Sequence, residues 1–431
     1  MANPFVSVVN LGCRVNRVES DRISLDLDRA GFVLVDPDDA DLIVINTCAV
    51  TGEAEAKTRK AVRHALARPR KPLVIATGCS VNLHPEMVQE LSDRVYVEPS
   101  KVNVCARACV LLGYSYGSSS DDRGENLPAL LGRTRLGVKV QDGCNNRCTY
   151  CIVWKARGPE RSVPLEAVLE LVNEAVRSEV PEIVLTGVNL GAYDGVSETD
   201  SHVEIDELVR TILERTDIPH IRLSSVEPMD VNENLLRVMA EYPDRVAPFL
   251  HLPIQSGSTS VLERMGRPYT AADFEETVSM IRRYVPSISL SCDVIVGFPG
   301  ESESEFRETY ELCQRVGFSR MHVFRYSARP GTPAAEAPDQ VDPEVMAERS
   351  RELRELATNM RLEDAKSRLG SWEIGVVEGK NQVTLGSFHH AVADGDLGDV
   401  TICRFSLDFI DEHGMLHVSK VDANGSELWH G

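Results

Sequence analysis

Residues 136–151 read LGVKVQDGCNNRCTYC and join a β-branched, strand-like run directly to three closely spaced cysteines. Downstream, further apolar runs alternate with amphipathic segments of helical period, a pattern that predicts parallel strands covered by helices. Six such runs predict an incomplete (β/α)6 barrel whose chemistry lies at the carboxyl ends of its strands. The predicted strands are residues 136–140, 182–185, 220–223, 249–253, 289–296 and 321–324.

The segments on both sides of this barrel belong to different fold types. Residues 6–76 alternate strand and helix patterns and predict an amino-terminal parallel-sheet α/β domain. A charged helix is predicted over 343–367, and short apolar runs after Gly370 predict a small all-β domain. The overall fold class is therefore α/β. The predicted divisions are 1–112 for the α/β domain, 113–133 for a Gly- and Ser-rich linker, 134–368 for the partial barrel and 369–431 for the β domain.

The charge of the chain limits its partners. Of 431 residues, 46 are Lys or Arg and 66 are Asp or Glu, and the resulting net charge of −20 opposes non-specific adhesion to nucleic acid. The sequence has no apolar window of roughly 18 residues and no signal-peptide pattern, so we expect a cytoplasmic protein without membrane contact. In that compartment the 11 cysteines predict free thiols or metal ligands rather than disulfides.

The spacing of Cys144, Cys148 and Cys151 is typical of a metal centre. Three thiolates so close together can bind three irons of a cubane iron–sulfur cluster and leave the fourth iron open for a substrate. A structural zinc ion is the alternative. Zinc would need a fourth ligand, and the candidates are His251, His202 and His220.

The Cys-x3-Cys-x2-Cys pattern, with Tyr150 before its last cysteine, resembles the signature of the radical S-adenosylmethionine (SAM) enzymes. The resemblance implies that the open iron chelates the amino and carboxylate groups of SAM and that Tyr150 packs near the adenine. It also implies that one electron from the reduced cluster cleaves SAM into methionine and a 5′-deoxyadenosyl radical.

Further motifs in the same order narrow the resemblance to the methylthiotransferases, over about residues 4–368. They are NLGCRVN at 10–16, NTCAVT at 46–51, TGC at 77–79, RGPERS at 157–162, HLPIQSGS at 251–258 and DVIVGFPGE at 293–301. The resemblance implies a second 4Fe-4S cluster in the amino-terminal domain, with Cys13, Cys48 and Cys79 as its ligands. The six cysteines are then the predicted catalytic and metal-binding residues. Judged from the residues alone, three thiols buried in a core remain the alternative.

In this family the second cluster presents a sulfur that a first SAM has methylated, and a second SAM supplies the radical. Positions at strand ends are expected to contact SAM: Asn189 its amino group, and Glu227 its ribose or methionine part. The other expected contacts are Tyr150, Thr186, Gly187, Gln255, Ser256, Gly297, Phe298 and Pro299. Trp154 stands where the family usually has a proline, and it could stack on a base or pack against the barrel.

A cluster of cations next to the Cys48 strand predicts an RNA contact. Its members are Lys57, Arg59, Lys60, Arg63, Arg68, Arg70 and Lys71. They could bind phosphates, although a solvated helix face is the other interpretation. The family's carboxy-terminal module is a TRAM-like, RNA-binding β-barrel. Here residues 370–431 are strongly acidic, with Lys380, Arg404 and Lys420 as their cations, so we do not expect this module to be the RNA clamp.

The run 48–60 resembles the branch that acts on N6-threonylcarbamoyladenosine at position 37 of tRNA. By that resemblance the product carries a methylthio group at C2 of the adenine. The implied partners are the tRNA anticodon stem-loop, an electron donor such as flavodoxin or ferredoxin, and a sulfur source. Two alternatives remain, a methylthiotransferase that modifies a ribosomal-protein aspartate and a non-catalytic iron–sulfur or zinc scaffold.

Overall fold

The computed structural model describes residues 3–49, 52–114, 131–395 and 397–421. The backbone divides into two units. The first unit holds Met1–Glu125, Asp142–Glu160 and Ser327–Ala335, and the second holds Asn126–Gln141, Arg161–Tyr326 and Glu336–Gly431. Most of the predicted linker, residues 115–130, lies outside the described residues. The four-part division of the sequence therefore stays a prediction.

The first unit contains a five-stranded parallel sheet with the strand order β2-β1-β3-β4-β5. Its strands are β1 Phe5–Asn10, β2 Val33–Leu34, β3 Leu42–Thr47, β4 Leu73–Gly78 and β5 Val95–Val97. Its longer helices are Arg14–Arg29, Gly52–Leu66 and Val104–Leu112, and shorter ones are Cys79–Leu83, Glu86–Gln89, Val153–Arg157 and the 3-10 turn Lys101–Asn103. The sheet confirms the predicted α/β fold of this region.

Helices cover both faces of this sheet. Leu42 and Val44 pack in one apolar cluster with the helix Arg14–Arg29, and Ile43 and Ile45 pack in a second cluster with the helix Gly52–Leu66. A strand buried on both faces needs apolar side chains at every position, because successive side chains point to opposite faces. This explains why β3 reads as a continuous apolar run in the sequence.

Six parallel strands form the partial barrel of the second unit. They are β6 Arg135–Lys139, β9 Glu182–Thr186, β12 His220–Leu223, β13 Phe249–His251, β14 Ser289–Val296 and β15 Arg320–Arg325. Two short strand pairs lie between them in the sequence: β7 Gln141–Asp142 with β8 Arg161–Ser162, and β10 Asp194–Val196 with β11 His202–Glu204. The sheet β12-β9-β6 and the sheet β13-β14-β15 are joined by bridges from Ile221 to Val246 and from Ser225 to His251. The predicted (β/α)6 arrangement is therefore confirmed.

Most helices of the second unit pack into one continuous core. The helices are Leu165–Arg177, Ile205–Arg215, Glu233–Glu241, Thr259–Arg264, Ala271–Tyr284, Glu303–Val316 and Pro343–Ser367, with 3-10 turns at Leu190–Ala192 and Pro228–Asp230. All of these helices except Thr259–Arg264 contribute side chains to the core. A further 3-10 turn, Pro333–Glu336, lies mostly in the first unit. Leu353 of the last helix belongs to the same core as Ile183 and Val294 of the strands. That helix begins where the Asp342 side chain accepts a hydrogen bond from the Glu344 amide at 2.7 Å.

The carboxy-terminal residues form a closed five-stranded barrel, β16-β17-β18-β20-β19. Its strands are β16 Trp372–Val377, β17 Gln382–Leu385, β18 His390–Ala393, β19 Ile402–Ile410 and β20 Leu416–Lys420. This confirms the predicted all-β module, although the sequence pattern missed β17. Among the described helices of the chain, none has both the length and the apolar character to cross a bilayer.

A buried ionic cluster joins the two barrels of the second unit. Arg222 on β12 is fully inaccessible, and its guanidinium donates to both carboxylate oxygens of Glu182 at 2.9 and 3.0 Å. It also donates to the carbonyls of Gly386 at 2.7 Å and Leu385 at 3.0 Å. Burial alone would raise the pKa of the Glu182 carboxyl, but Arg222 and His220 outweigh it and hold that pKa below its usual range.

Replacing Arg222 by Ala should leave two carbonyls buried without their donor and should remove the main cation from the Glu182 carboxylate, which keeps His220 at 2.7 Å. We expect the free energy of unfolding to fall by about 3–5 kcal/mol, the usual cost of breaking a buried ion pair, in urea denaturation. Arg237→Ala is the matched control, because Arg237 pairs with Glu233 at 2.8 Å on an exposed helix surface. The control should cost at most about 0.5 kcal/mol. Equal effects of the two variants would contradict the anchoring role.

Candidate active site

Three cysteines follow three neighbouring strands of the parallel sheet in the first unit. Cys13 follows β1 and precedes the helix Arg14–Arg29, Cys48 follows β3 directly, and Cys79 follows β4 directly. Because carboxyl ends of parallel strands share one edge of a sheet, the structure brings these thiols to the same edge. Cys48 and Cys79 are buried and Cys13 is exposed.

Two glycines allow these strand ends to approach one another. Gly78 has a φ of +99°, and a Cβ atom there would lie 2.5 Å from the Asn46 side chain and from the Thr47 carbonyl. A Cβ atom on Gly12 would lie 3.0 Å from the Cβ of Cys48. Any larger residue would therefore push the segments that carry the cysteines apart.

Two buried asparagines fix the loop of Cys13 against β3. The Asn16 side chain donates to the Thr47 carbonyl at 2.7 Å, and the Asn46 side chain donates to the Asn16 carbonyl at 2.8 Å. The Cys13 thiol donates to the Asn16 side chain at 3.6 Å. Both asparagines stand in the motifs that carried the family resemblance, but the sequence analysis assigned them no role.

The second set of cysteines lies in the loop that leads into the helix Val153–Arg157, also in the first unit. Cys148 is buried, and Cys144 and Cys151 are half-buried. Gly143 has a φ of +75°, and a Cβ atom there would lie 2.0 Å from the Pro159 carbonyl oxygen. The loop therefore folds back on itself and can do so only with glycine at this position.

Burial raises the pKa of two of the six thiols. The pKa of the Cys144 thiol rises to about 12, although a hydrogen bond from the Asn146 backbone amide lowers it in part. Burial also raises the pKa of Cys79, which the positive charge of Arg157 opposes. A bound iron would supply the compensating charge, because metals bind cysteine as the thiolate.

The polar atoms around the cysteines fit an iron–sulfur cluster. The side chains of Asn146, Thr77 and Ser80 each have a buried polar atom with no hydrogen-bond partner among the described residues. Cluster sulfurs accept hydrogen bonds and could satisfy such donors. In the described part of the chain, no three Cys, His, Asp or Glu side chains are placed to hold a single metal ion.

The two sets of cysteines are linked by direct packing. Cys79 and Leu83 pack in one apolar cluster with Ile152 and Ala156. The Asn82 side chain also donates to the Ala156 carbonyl at 3.4 Å. The helix that begins at Cys79 therefore contacts the segment that directly follows Cys151.

The aromatic residues of the cysteine loop have different surroundings. Tyr150 is half-buried beside Cys151. Two cations lie over the Trp154 ring. The Arg147 guanidinium is 5.5 Å from the ring centre, and the Lys155 ammonium is 5.1 Å from it. Both cations are exposed. Trp154 thus takes part in cation–π contacts within its own loop.

The expected SAM contacts at the end of β9 lie in the second unit. Thr186 and Asn189 are buried. The Gln141 side chain accepts hydrogen bonds from the amides of Val188 and Asn189, both at 2.9 Å. A Cβ atom on Gly187 would lie 3.0 Å from Gln141. Gln141 was missed in the sequence analysis, although a polar residue directly after a strand was a signal for it.

Glu227, the other principal SAM candidate, already has a partner inside the protein. Its carboxylate forms an ion pair with Arg267, whose side chain is 1% exposed. Burial raises the pKa of Glu227, and the charge of Arg267 opposes this rise. Any ligand of Glu227 would therefore share the carboxylate with Arg267.

Gln255 and Ser256 occupy a tight turn. Gln255 has a φ of +69°, a conformation that non-glycine residues rarely adopt and that often marks functional sites. Its amide donates to the Asp293 carbonyl at 2.9 Å. The Ser256 hydroxyl is buried and lies 3.1 Å from the Thr309 hydroxyl, which gives it an internal partner.

The loop Gly297, Phe298 and Pro299 is buried. Gly297 has a φ of +74°, and a Cβ atom there would lie 2.1 Å from Met346. The Gly297 amide donates to the Glu301 carboxylate at 2.7 Å. Glu301 therefore fixes the shape of this loop.

The seven predicted RNA-binding cations do not share one environment. Arg68 pairs with Asp38 at 2.6 Å, and Arg70 pairs with Asp41 at 2.5 Å. Both of these cations are thus compensated by carboxylates. Lys71 is exposed and follows Arg70 directly. The other four lie on the helix Gly52–Leu66 and are Lys57, Arg59, Lys60 and Arg63.

Comparisons with known proteins agree with this arrangement. Residues 138–313 match the Radical SAM superfamily, and residues 6–97 match the uncharacterized protein family UPF0004. The solved structure of the radical SAM methyltransferase TsrM from Kitasatospora setae, with tryptophan and a SAM analogue, aligns with a TM-score of 0.56 at 15% identity. That alignment covers 98% of this chain and 86% of TsrM.

Two curated relatives match most of the sequence. The threonylcarbamoyladenosine tRNA methylthiotransferase MtaB of Thermotoga maritima is 37% identical, over 85% of this chain and 84% of its own. The tRNA-2-methylthio-N(6)-dimethylallyladenosine synthase of Magnetococcus marinus is 33% identical, over 86% and 88%. The chain therefore belongs to the family of radical SAM tRNA methylthiotransferases.

Proposed function

We propose that this enzyme inserts a methylthio group at C2 of N6-threonylcarbamoyladenosine 37 in tRNA, using SAM and two 4Fe-4S clusters. The observation that carries the proposal is the packing of Cys79 against the segment after Cys151, which sets two cysteine trios side by side in one unit. The name of the Thermotoga maritima relative supports the choice of nucleoside.

Each cysteine trio would hold one cluster by three irons. Cys144, Cys148 and Cys151 would hold the cluster that binds SAM. Cys13, Cys48 and Cys79 would hold the other cluster, which we call the second cluster. When bound, the first cluster supplies the electron that cleaves SAM, and the second supplies the sulfur that is inserted.

The residues of the chain bind and orient the reactants. Gln141 fixes the backbone at Asn189, which would receive the amino group of SAM. Arg267 holds the Glu227 carboxylate in one orientation for the ribose or methionine part. The burial of Cys48, Cys79 and Cys148 keeps water from the sulfur atoms.

We assign the tRNA contact to the cations of the helix Gly52–Leu66. Arg59, Lys60 and Arg63 have no carboxylate partner in the described ranges, so their charge is available to phosphates. In the carboxy-terminal barrel, by contrast, Arg404 pairs with Asp244 at 2.5 Å. The reaction also needs an electron donor, such as flavodoxin or ferredoxin, and a sulfur source. We infer a cytoplasmic location, where thiols stay reduced.

N6-dimethylallyladenosine is the alternative nucleoside substrate that a specific observation favours. The Magnetococcus marinus relative is named for dimethylallyladenosine, and its identity to this chain is 33%, close to the 37% of the Thermotoga maritima protein. The ribosomal-protein aspartate and the non-catalytic scaffold are weaker alternatives, because the relatives are named for tRNA.

Mass spectrometry of tRNA nucleosides identifies the substrate. Deleting the gene should remove 2-methylthio-N6-threonylcarbamoyladenosine and leave its unthiolated form in equivalent amount, because the enzyme acts on a completed nucleoside. Other methylthio nucleosides should keep their levels. Loss of the dimethylallyl derivative instead would transfer the assignment to that nucleoside.

Replacing single cysteines should separate the two clusters. Cys148→Ala should abolish reductive cleavage of SAM, whereas Cys48→Ala should retain cleavage and lose methylthiolation. Each variant should hold about four irons, against about eight in the parent protein, because each cubane contains four. SAM cleavage is followed by chromatography, and iron by chemical analysis of anaerobically reconstituted protein.

Cys109→Ala is the matched control for this experiment, since Cys109 is half-buried on the helix Val104–Leu112 away from both trios. It should keep both clusters and both activities. A Cys48→Ala enzyme that still methylthiolates tRNA at the normal rate would refute the two-cluster mechanism.

Neutralising Arg59, Lys60 and Arg63 to Gln should raise the Kd for tRNA roughly tenfold at physiological salt. It should also reduce the magnitude of the slope of log(association constant) against log(salt concentration) by about 2 to 3. Each phosphate contact contributes somewhat less than one to that slope. Filter binding measures both quantities. The control Arg68→Gln with Arg70→Gln should have little effect, because Asp38 and Asp41 already compensate these charges. A larger effect in the control would place the RNA contact elsewhere.

A further inference from the structure

Arg157 lies at the centre of a buried ionic cluster in the first unit. Its side chain is 5% exposed, and its guanidinium donates to both oxygens of the Glu19 carboxylate, at 2.8 and 3.1 Å. It also donates to Asp142 at 2.9 Å and to the Asn16 side chain at 2.7 Å. A planar guanidinium can bind three partners in this way, whereas a lysine ammonium cannot reproduce the fork.

These partners connect the two cysteine trios. Asn16 accepts the hydrogen bond of the Cys13 thiol at 3.6 Å. Arg157 ends the helix that follows Cys151, and Ala156 of that helix packs in one cluster with Cys79. The guanidinium thus contacts Asn16 in the loop of Cys13, while its own backbone belongs to the helix that follows Cys151. Its charge also opposes the rise that burial causes in the pKa of Cys79.

The charge of Arg157 belongs to a balanced set of four buried or half-buried charges. Glu19 is 6% exposed and is shared with Lys101, whose ammonium lies 3.2 Å from its carboxylate. Two cations and two carboxylates, Glu19 and Asp142, therefore balance in a region that excludes most water. Removing any one of them leaves an uncompensated charge, which acts strongly at the low dielectric of a protein interior.

We propose that Arg157 is a positioning residue that sets the reduction potential of the cluster held by Cys13, Cys48 and Cys79. This inference rests on the proposed function, since it needs that second cluster. A cubane with three thiolate ligands becomes more negative when it is reduced, so a nearby buried cation stabilises the reduced form. Charge and hydrogen bonding around a cluster are known determinants of its potential.

Opposite substitutions in the same ion pair test the proposal. Arg157→Gln removes a positive charge and should shift the midpoint potential of the second cluster to more negative values. Glu19→Gln removes a negative charge, keeps a side-chain oxygen as acceptor, and should shift that potential to more positive values. Arg157→Lys keeps the charge and should restore a potential close to that of the parent protein.

The measurement is a redox titration of the reconstituted full chain, followed by electron paramagnetic resonance. Addition of SAM identifies the signal of the SAM-binding cluster, because only that signal should change, and the remaining signal belongs to the second cluster. Arg22→Gln is the matched control: Arg22 lies on the same helix as Glu19 and pairs with Asp26 at 2.9 Å, but its side chain is 48% exposed. This control should leave both potentials unchanged.

If Arg157 had a purely structural role, the midpoint potential of the second cluster would shift in the same direction in Arg157→Gln and Glu19→Gln, or in neither variant. Either result overturns the proposal. If Arg157→Gln fails to retain its irons, the Glu19→Gln variant decides, and the absence of a positive shift overturns the proposal. Iron content separates this failure from failure of the proposed function. A parent protein with about four irons lacks the second cluster, which refutes both, whereas about eight irons without opposite shifts refutes the role of Arg157 alone.

Discussion

The shared edge at which parallel strands end is the constraint on which the first cysteine site depends. Cys13, Cys48 and Cys79 are far apart in sequence, and they meet because β1, β3 and β4 are neighbours in one sheet. Gly78 adds a second requirement, since a side chain there would collide with β3. The chemistry of the site therefore depends on sheet order and on backbone approach, as well as on the thiols themselves.

Buried ion pairs fix segments inside each unit. In the first unit Arg157 pairs with Glu19, and in the second unit Arg349 pairs with Glu301 and Arg222 pairs with Glu182. Such pairs often add little net stability over apolar packing, because both charges lose their hydration. Their advantage is that each charge accepts only one arrangement of partners. This suits a protein that must hold several loops in register around cofactors.

The sequence predicted the strands and the last barrel helix well, because long apolar runs and amphipathic periods leave few alternatives. It missed β17, a short strand of alternating character before Gly386, and the β10–β11 hairpin. It indicated the six cysteines as cluster ligands, which stays a prediction, and it did not indicate the partners of Arg157, since those contacts join residues distant along the chain. It also did not indicate that Asp38 and Asp41, from another loop, pair with Arg68 and Arg70, and the RNA contact of the basic patch stays a prediction.

The burial of the thiols also has a consequence for the balance of charge. Burial raises the pKa of Cys144 to about 12 and raises that of Cys79 as well, so both thiols are neutral at physiological pH unless a cation compensates them. If these thiols bind iron as proposed, binding would displace their protons, and cluster assembly would be coupled to proton release. A neutral thiol can stay buried beside Asn146 or Ser80 without the cost of an isolated thiolate. Burial of the neutral thiols is therefore compatible with folding of these segments before a cluster binds.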